Sequence, residues 1–213
     1  MMSVQPSKIV CVGRNYADHA KELGNAIPDS PVLFIKPPSS LISLTDGIEW
    51  NQALGECHFE CELCLRIDQP LSKQNDPQLA LQAVGAVTLG LDLTLRDLQN
   101  TLKNKGQPWE RAKAFDGACV LADWVDVSEI TDWQNIEFSF AQNGQIKQQS
   151  FTHDMLFDVA TLLVDISQSF SLQVGDVIMT GTPKGVAALH PKDQLLLSLK
   201  TQKASHQWQT FCK

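Results

Sequence analysis

Short apolar segments typical of β-strands recur along the whole chain and constrain its fold more than any other feature. Such segments occur at residues 8–12, 32–36, 59–67, 86–93, 136–141, 177–180, 195–199 and 208–211. Helical spacing of apolar residues is found at residues 16–23, 77–84, 96–105 and 154–169. Because these helices do not alternate with the strands in a regular βαβ pattern, the sequence predicts a β-rich α+β fold and not a doubly wound sheet.

The length of 213 residues fits one globular domain that spans residues 1–213. The formal net charge of -7 argues against a nucleic-acid partner, since phosphate binding requires clustered Lys and Arg side chains. No apolar stretch approaches the roughly 20 residues that span a bilayer, and residues 1–7 lack the apolar core of a secretory signal. We therefore expect a cytoplasmic protein without a membrane partner.

Three cysteines crowd together at Cys57, Cys61 and Cys64 and raise the question of a zinc site. The segment between them has no Gly, Pro or Asn that could form a metal knuckle, and it alternates as a strand does. Side chains on a strand alternate between its faces, so Cys61 and Cys64 are expected to point in opposite directions. The sequence therefore favours reduced, buried thiols over a structural zinc site.

Three carboxylates stand at positions that favour a hard metal ion. Glu60 and Glu62 are two residues apart on a predicted strand, so both side chains project from the same face. Such a pair repels unless a cation lies between the carboxylates or both face water, and a solvated outer face stays open as the alternative. Asp92 lies within an apolar strand, where a lone carboxylate is costly unless it is paired or bound to metal. Oxygen ligands alone favour Mg²⁺ or Mn²⁺ over zinc or copper.

Three further groups of polar residues could act on a substrate. His19 and Glu22 are three residues apart on a predicted helix, so the carboxylate could orient the imidazole as a general base. An ordinary surface contact is the commoner explanation of that spacing. Arg96 and Gln99 share one helical turn. The glycine-rich turn at residues 180–185 could present backbone N–H groups to an anion, although it lacks the spacing of a nucleotide-binding P-loop.

Taken in order, these segments resemble the fumarylacetoacetate hydrolase family, in particular its small acylpyruvase and oxaloacetate decarboxylase or tautomerase branch. The matching segments are IVCVGRNYADH (9–19), PVLFIKP (31–37), the Glu60-x-Glu62 strand, LDLTLRDLQ (91–99), GQPW (106–109), AKAFD (112–116), NG (143–144) and GDVIMTGTPKGV (175–186). They cover nearly the whole chain, so the resemblance is more specific than any single motif.

The resemblance implies a mixed β-sandwich roll, usually a homodimer, that binds one Mg²⁺ or Mn²⁺. In this family two strand glutamates and an aspartate bind the metal, and they correspond to Glu60, Glu62 and Asp92. The catalytic residues correspond to His19 and Glu22, on a lid segment of about residues 13–30, and to Lys113. The substrate-binding positions correspond to Arg14, Tyr16, Arg96, Gln99 and Thr182.

The implied activities are C–C hydrolysis of acylpyruvates and decarboxylation or keto–enol tautomerisation of oxaloacetate, in each case on a small anionic 2-oxo acid. An alternative is an isomerase or hydratase of 2-oxo acids from aromatic degradation, of the 2-hydroxyhepta-2,4-diene-1,7-dioate isomerase type. A second alternative is a binding protein that keeps the fold without turnover. The clustered carboxylates argue against this second alternative, because a site without chemistry has no physical need of them.

Overall fold

The computed structural model describes residues 5–22, 24 and 26–213. The strands are β1 (Ile9–Gly13), β2 (Val32–Lys36), β3 (Leu41–Ser43), β4 (Cys57–Phe59), β5 (Cys61–Ile67), β6 (Val84–Asp92), β7 (Thr94–Leu95), β8 (Cys119–Leu121), β9 (Val125–Asp126), β10 (Glu137–Gln142), β11 (Gln145–Phe151), β12 (Val177–Met179), β13 (Ala187–Ala188), β14 (Gln194–Lys200) and β15 (Ser205–Phe211). The helices are α1 (Ala17–Glu22), α2 (Pro77–Leu81), α3 (Arg96–Asn104), α4 (Glu110–Lys113) and α5 (Val159–Ser169).

A large mixed sheet has the strand order β2-β1-β12-β5-β6-β8-β3, with β9 also paired to β6. Strand β1 runs parallel to β12 and β3 runs parallel to β8, whereas the other pairs are antiparallel. An antiparallel sheet, β11-β10-β14-β15, and a small sheet, β13-β4-β7, complete the fold. The predicted β-rich α+β class is thus confirmed, with the large sheet curled as a half-barrel.

Buried apolar side chains form two clusters, which account for the cysteines. Cys61 belongs to the larger cluster and Cys64 to the smaller one, so the two side chains lie on opposite faces of β5 as predicted. All six thiols are free and buried, and burial raises the pKa of each of them. These cysteines are therefore protonated, unreactive packing residues.

Several predicted elements have different boundaries in the structure. The helix predicted at residues 77–84 ends at Leu81, and Val84 already begins β6. The strand predicted at residues 59–67 is interrupted at Glu60, where β4 ends and β5 begins. The helix predicted at residues 154–169 starts only at Val159, because Asp158 caps it by accepting a hydrogen bond from the backbone of Thr161. Asp154 instead lies in a preceding 3-10 turn. The predicted Asn143–Gly144 hairpin turn is confirmed, with φ angles of 53° and 77°.

The side chain of Asn15 joins the loop before α1 to two distant segments. Its side-chain amide donates to the carbonyl oxygens of Phe157 and Thr180, at 3.0 and 2.8 Å, and accepts from the Phe157 backbone at 2.8 Å. These bonds fix the loop between β1 and α1 against two distant segments. Helix α1 corresponds to the helix predicted at residues 16–23, and the last predicted residue, at position 23, lies outside the described residues. No helix in the described part of the chain is long and apolar enough to cross a membrane.

Candidate metal and active site

Three carboxylate side chains meet where β5 begins and β6 ends. Glu60 immediately precedes β5, Glu62 is the second residue of β5, and Asp92 is the last residue of β6. Strands β5 and β6 pair antiparallel, and the Asp92 backbone N–H donates to the Glu60 carbonyl oxygen at 2.8 Å. One oxygen of each carboxylate therefore lies within 4.8 Å of the others. Because Glu60 is 6% and Glu62 1% exposed, the alternative of a solvated outer face is wrong.

Two cations from neighbouring helices contact these carboxylates. Lys113, the last residue of α4, donates hydrogen bonds to Glu60 at 2.8 Å and to Asp92 at 2.7 Å. Arg96, the first residue of α3, donates to Glu60 at 2.5 Å and to the side-chain oxygen of Gln99 at 2.8 Å. The two helices thus deliver positive charge to the same buried cluster.

A third cation, Lys36, was not identified as a site residue from the sequence. It is the last residue of β2 and fully buried, and its ammonium nitrogen lies 2.8 Å from Asp92 Oδ1. It also donates to the carbonyl oxygens of Lys113 and Ala118. The sequence gives no signal for this role, because a lysine at the end of a strand ordinarily extends into solvent.

The nearby positive charge is distributed unequally among the carboxylates of the cluster. Burial raises the pKa of Glu60, but the charges of Lys113 and Arg96 outweigh it and hold that pKa well below its usual range. Burial, followed by the charges of Asp92 and Glu60, raises the pKa of Glu62 well above its usual range. Burial opposes the charged form of Lys113, yet Asp92 and Glu60 raise its pKa. Glu62 is therefore the carboxylate with the least counter-charge.

The donor set fits a hard divalent cation. Asp92 Oδ1 is buried and, although close to Lys36, has no hydrogen bond of suitable geometry among the described residues. Glu62 accepts a hydrogen bond from the backbone N–H of Gly181 at 2.7 Å. This donor is neutral, so it does not balance the charge of the carboxylate. Carboxylate oxygens are the ligands that Mg²⁺ and Mn²⁺ prefer in proteins. Glu60, Glu62 and Asp92 together therefore could hold one such ion.

His19 and Glu22 lie on α1 next to the carboxylate cluster. His19 Nδ1 is 3.3 Å from Glu22 Oε2. The His19 side chain is 6% and the Glu22 side chain 36% exposed, so the imidazole is buried while the carboxylate reaches the surface. The backbone N–H of Gly185 donates to both oxygens of Glu22, at 3.1 and 3.2 Å. With Nδ1 directed at Glu22, Nε2 is the ring nitrogen that remains for proton transfer.

A single pocket brings together all the predicted site residues except Glu22 and Tyr16. The pocket has a cavity volume of about 40 Å³. Tyr16 packs in the core with its ring centroid 6.5 Å from that of Phe138, so the structure does not bring it to the pocket. The Thr182 hydroxyl lines the pocket but donates to the Cys61 carbonyl oxygen at 2.8 Å, so it also fixes the start of β5.

Phe34, Trp109 and Lys103 line the pocket but were not predicted from the sequence as site residues. Phe34 and Trp109 form an aromatic wall, with ring centroids 6.0 Å apart, and the Lys113 ammonium lies 5.3 Å from the Phe34 centroid. Lys103 also lines the pocket from α3. Its spacing from Arg96 is a signal that the sequence offers, because residues seven apart lie on the same helix face.

Comparisons with known proteins agree with this geometry. Residues 8–206 match the model of the fumarylacetoacetate (FAA) hydrolase C-terminal family. The chain is 42% identical over 193 residues to oxaloacetate tautomerase YcgM of Escherichia coli (strain K12), covering 90% of this chain and 88% of that protein. It is 43% identical over 185 residues to the mitochondrial oxaloacetate decarboxylase of Dictyostelium discoideum, covering 86% and 84% of the two chains.

A solved structure is also similar to this chain over most of its length. The structure of fumarylpyruvate hydrolase from Pseudomonas aeruginosa, in complex with Mn²⁺ and pyruvate, superposes with a TM-score of 0.87 at 28% identity. The match covers 97% of this chain and 90% of that one. The similarity in sequence and in structure therefore extends over almost the whole chain, including the strands and helices that carry the carboxylates and cations of the pocket.

Proposed function

The chain belongs to the fumarylacetoacetate hydrolase family, and we propose that it is a Mg²⁺- or Mn²⁺-dependent enzyme that acts on small 2-oxo acids. The observation that carries this proposal is the buried cluster of Glu60, Glu62 and Asp92 in the same pocket as Lys113 and His19. The oxaloacetate tautomerase and decarboxylase relatives, and the Mn²⁺ and pyruvate of the fumarylpyruvate hydrolase structure, support it.

In this proposal Glu60, Glu62 and Asp92 hold one divalent cation. When bound, the cation supplies positive charge beside the 2-oxo group and stabilises the negative charge that develops on its oxygen. Lys113 lies among the same carboxylates and adds a second positive charge to the substrate oxygens. Arg96, already hydrogen-bonded to Gln99, contributes donors at the pocket wall. Because these donors are buried and fixed before the substrate arrives, they favour the enolate over the ketone without reorganising.

His19 and Glu22 are the proposed proton-transfer pair. Glu22 holds the imidazole through Nδ1 and is itself held by the backbone of Gly185, so the ring has one defined orientation. For an acylpyruvate, His19 Nε2 accepts a proton from the water that attacks the acyl carbonyl. The bond between the acyl carbon and carbon 3 then breaks, which releases the carboxylic acid and the pyruvate enolate, and the enolate takes up a proton at carbon 3. For oxaloacetate, the same nitrogen moves a proton between the enol oxygen and carbon 3. Decarboxylation requires enolate stabilisation and a later protonation at that carbon.

The relatives favour compact substrates. The chain is 42% identical to an oxaloacetate tautomerase and 43% identical to an oxaloacetate decarboxylase. Oxaloacetate and acylpyruvates are therefore preferred over the substrates of the isomerase or hydratase alternative. We propose no nucleic-acid or membrane partner, because neither the formal net charge of -7 nor the pocket suggests one.

An absorbance assay of the purified protein tests the function. Acetylpyruvate and oxaloacetate are supplied separately, each with Mg²⁺ and with excess EDTA, and pyruvate is quantified at the end. We expect turnover that EDTA abolishes. Pyruvate release from acetylpyruvate indicates hydrolysis, pyruvate release from oxaloacetate indicates decarboxylation, and decay of the enol without pyruvate indicates tautomerisation. Absence of metal-dependent turnover with both compounds contradicts the proposal and favours either the isomerase or hydratase alternative or the binding protein without turnover.

We also propose that the protein is a cytoplasmic homodimer whose segment of about residues 13–30 acts as a lid. The dimer is the usual state in the family that the chain resembles, and the contact of α1 with the 180–185 loop supports a segment that covers the pocket. Light scattering of the purified protein gives the number of chains, and cell fractionation gives the location. A monomer, or recovery in a membrane fraction, contradicts these two points.

A further inference from the structure

His58, the middle residue of β4, has no part in the mechanism described above, yet it lies beside a residue that does. Strand β4 pairs antiparallel with β7, with His58 opposite Thr94. Two residues along the same ladder, the Arg96 backbone N–H donates to the Glu56 carbonyl oxygen at 2.9 Å. Because side chains on paired strands alternate between the two faces, those of Glu56, His58 and Arg96 project from one face. His58 and Arg96 are diagonal neighbours there, within reach of a long side chain.

The guanidinium of Arg96 extends past His58 to Glu60. Its Nη2 donates to Glu60 at 2.5 Å, and its Nη1 donates to the side-chain oxygen of Gln99 at 2.8 Å. The Nε–H lies on the same edge of the planar guanidinium as Nη2. It therefore points to the side of the group on which His58 and Glu60 lie.

Arg96 Nε and His58 Nδ1 are a donor and an acceptor that each need a partner. Both atoms are buried, and neither has a hydrogen-bond partner within the described part of the chain. His58 Nε2 is 3.2 Å from Glu56 Oε2, so in the neutral ring Nε2 carries the proton and Nδ1 is the acceptor. Burial lowers the pKa of His58 and outweighs the opposing hydrogen bond to Glu56, which favours the neutral ring. Two buried polar atoms of opposite kind on neighbouring side chains are commonly satisfied by one ordered water between them.

We propose that His58 is a positioning residue for Arg96, and that its Nδ1 accepts the Nε–H of Arg96 through one buried water molecule. This hydrogen bond fixes the third edge of a guanidinium that Gln99 and Glu60 already hold through Nη1 and Nη2. Each of those two nitrogens keeps a second proton for the oxygens of the substrate. The inference rests on the proposed function, in which Arg96 contributes donors at the pocket wall, and it extends substrate binding to a residue outside the pocket.

Two substitutions of His58 separate its acceptor atom from the rest of the side chain. In His58→Asn the amide oxygen can occupy the position of Nδ1, so an acceptor is retained. In His58→Gln the longer side chain places its amide near Glu56 and a methylene group where Nδ1 was. Both variants lose the aromatic ring, so a difference between them reports on the acceptor. His190→Gln is the control, because it makes the same change at an exposed histidine that also lies 3.7 Å from a carboxylate, that of Asp193.

Proton–nitrogen NMR of arginine side chains detects the hydrogen bond without substrate. The Nε–H signal of Arg96 is identified by its loss in Arg96→Lys. We expect the proton resonance to keep its position in His58→Asn and in His190→Gln, and to move upfield in His58→Gln, because a hydrogen bond deshields its proton. An Arg96 signal at the same position in His58→Asn and His58→Gln overturns the inference. If His58→Gln does not fold, His58→Met replaces it, since a flexible thioether fills the space and accepts only weakly.

Binding of pyruvate, the simplest 2-oxo acid, measures the consequence for the pocket. In calorimetric titrations with Mg²⁺ present, we expect His58→Gln to weaken pyruvate binding roughly 10-fold and His58→Asn less than about threefold, because a hydrogen bond to a charged group contributes on this order. The affinity for Mg²⁺ itself should be the same in all variants, since His58 is not a proposed metal ligand.

The outcomes distinguish this inference from the proposed function. If pyruvate binds to the unsubstituted protein and is weakened equally in His58→Asn and His58→Gln, the inference is overturned while the proposed function stands. If pyruvate does not bind to the unsubstituted protein, but the Arg96 signal moves in His58→Gln and not in His58→Asn, the proposed function fails. In that case the positioning of Arg96 by His58 is still supported.

Discussion

At the residue scale, charged side chains buried against one another define the site. The sequence alone indicates that Asp92 is unusual, because a carboxylate inside an apolar strand must be paired or bound to metal. It does not single out Lys36, since a lysine at the end of a strand ordinarily extends into solvent. Only the folded sheet brings Lys36, Asp92 and Lys113 together. The carboxylate triad is therefore predictable from the sequence, whereas its counter-charges are predictable only in part.

We expect Lys36→Met to destabilise the protein by about 3–5 kcal/mol, because it leaves Asp92 with less counter-charge in a buried site. The carbonyl oxygens of Lys113 and Ala118 also lose their donor. Urea unfolding in the presence of EDTA measures the free energy of unfolding without a contribution from bound metal. The exposed Lys105→Met variant is the control. A loss no larger than that of the control argues against a structural role for Lys36.

The proposed proton-transfer role of His19 gives a second prediction. We expect His19→Ala to slow acetylpyruvate hydrolysis by about 10²–10⁴-fold, because this is the usual contribution of a general base. Affinity for Mg²⁺ should not change, since His19 is not a proposed metal ligand. His153→Ala, at an exposed histidine, should behave as the unsubstituted protein. If His19→Ala hydrolyses acetylpyruvate at the original rate, the base must be another residue.

At the element scale, the loop at residues 180–185 joins the carboxylate cluster to helix α1. Gly181 donates its N–H to Glu62, and Gly185 donates its N–H to Glu22. Gly181 has a φ of 101°, and a Cβ there would lie 2.7 Å from that of Asn15, so only glycine allows this approach. The sequence predicts a glycine-rich turn here, but not the two carboxylates that it binds. Those lie far away in sequence and meet the loop only through the order of strands β1, β12 and β5.

The turn before β12 gives a prediction on stability and pH. Asp176 accepts hydrogen bonds from the Ser7 and Gln173 backbones, each at 2.8 Å, and from the Lys8 ammonium at 2.5 Å. Burial raises its pKa, but these bonds outweigh burial and hold the pKa below its usual value. We expect Asp176→Asn to lower the free energy of unfolding by about 1–3 kcal/mol at pH 7.

The sign of the pH dependence follows from the lowered pKa of Asp176. The stabilisation is complete above the unfolded-state pKa of about 3.9 and is lost as pH falls toward the folded-state pKa. The difference in unfolding free energy between the protein and Asp176→Asn should therefore be constant from about pH 5 to pH 7 and shrink below about pH 4. Urea unfolding at a series of pH values measures it. A difference that grows on acidification contradicts the assignment.

At the scale of the whole molecule, contacts between distant parts of the chain favour one cooperative unit. Asp176 ties the segment before β1 to the turn before β12, and Ile48 pairs with Cys212 in an isolated bridge. The larger apolar cluster includes residues from both ends of the chain. The β-rich class is predictable because alternating apolar residues and turn signals are local features. The order of the strands in the large sheet is not predictable in this way, since it depends on contacts between remote segments.

We therefore propose that residues 1–213 form one domain, and we expect a single unfolding transition. Far-ultraviolet circular dichroism and tryptophan fluorescence, followed during the same urea titration, should give coincident curves for metal-free protein. The tryptophans are spread along the chain, so fluorescence samples several regions of the fold. Two separated transitions would show that part of the chain folds independently.

The central claim is that Glu60, Glu62 and Asp92 hold the divalent cation on which the reaction depends. Its most direct test is calorimetric titration of Mn²⁺ into metal-free protein and into the Asp92→Asn and Asp123→Asn variants, of which the second alters an exposed aspartate. We predict one Mn²⁺ per chain for the unsubstituted protein and for Asp123→Asn, and an affinity weaker by roughly 100-fold or more for Asp92→Asn. Binding to Asp92→Asn as tight as to the unsubstituted protein would contradict the assignment of the metal site.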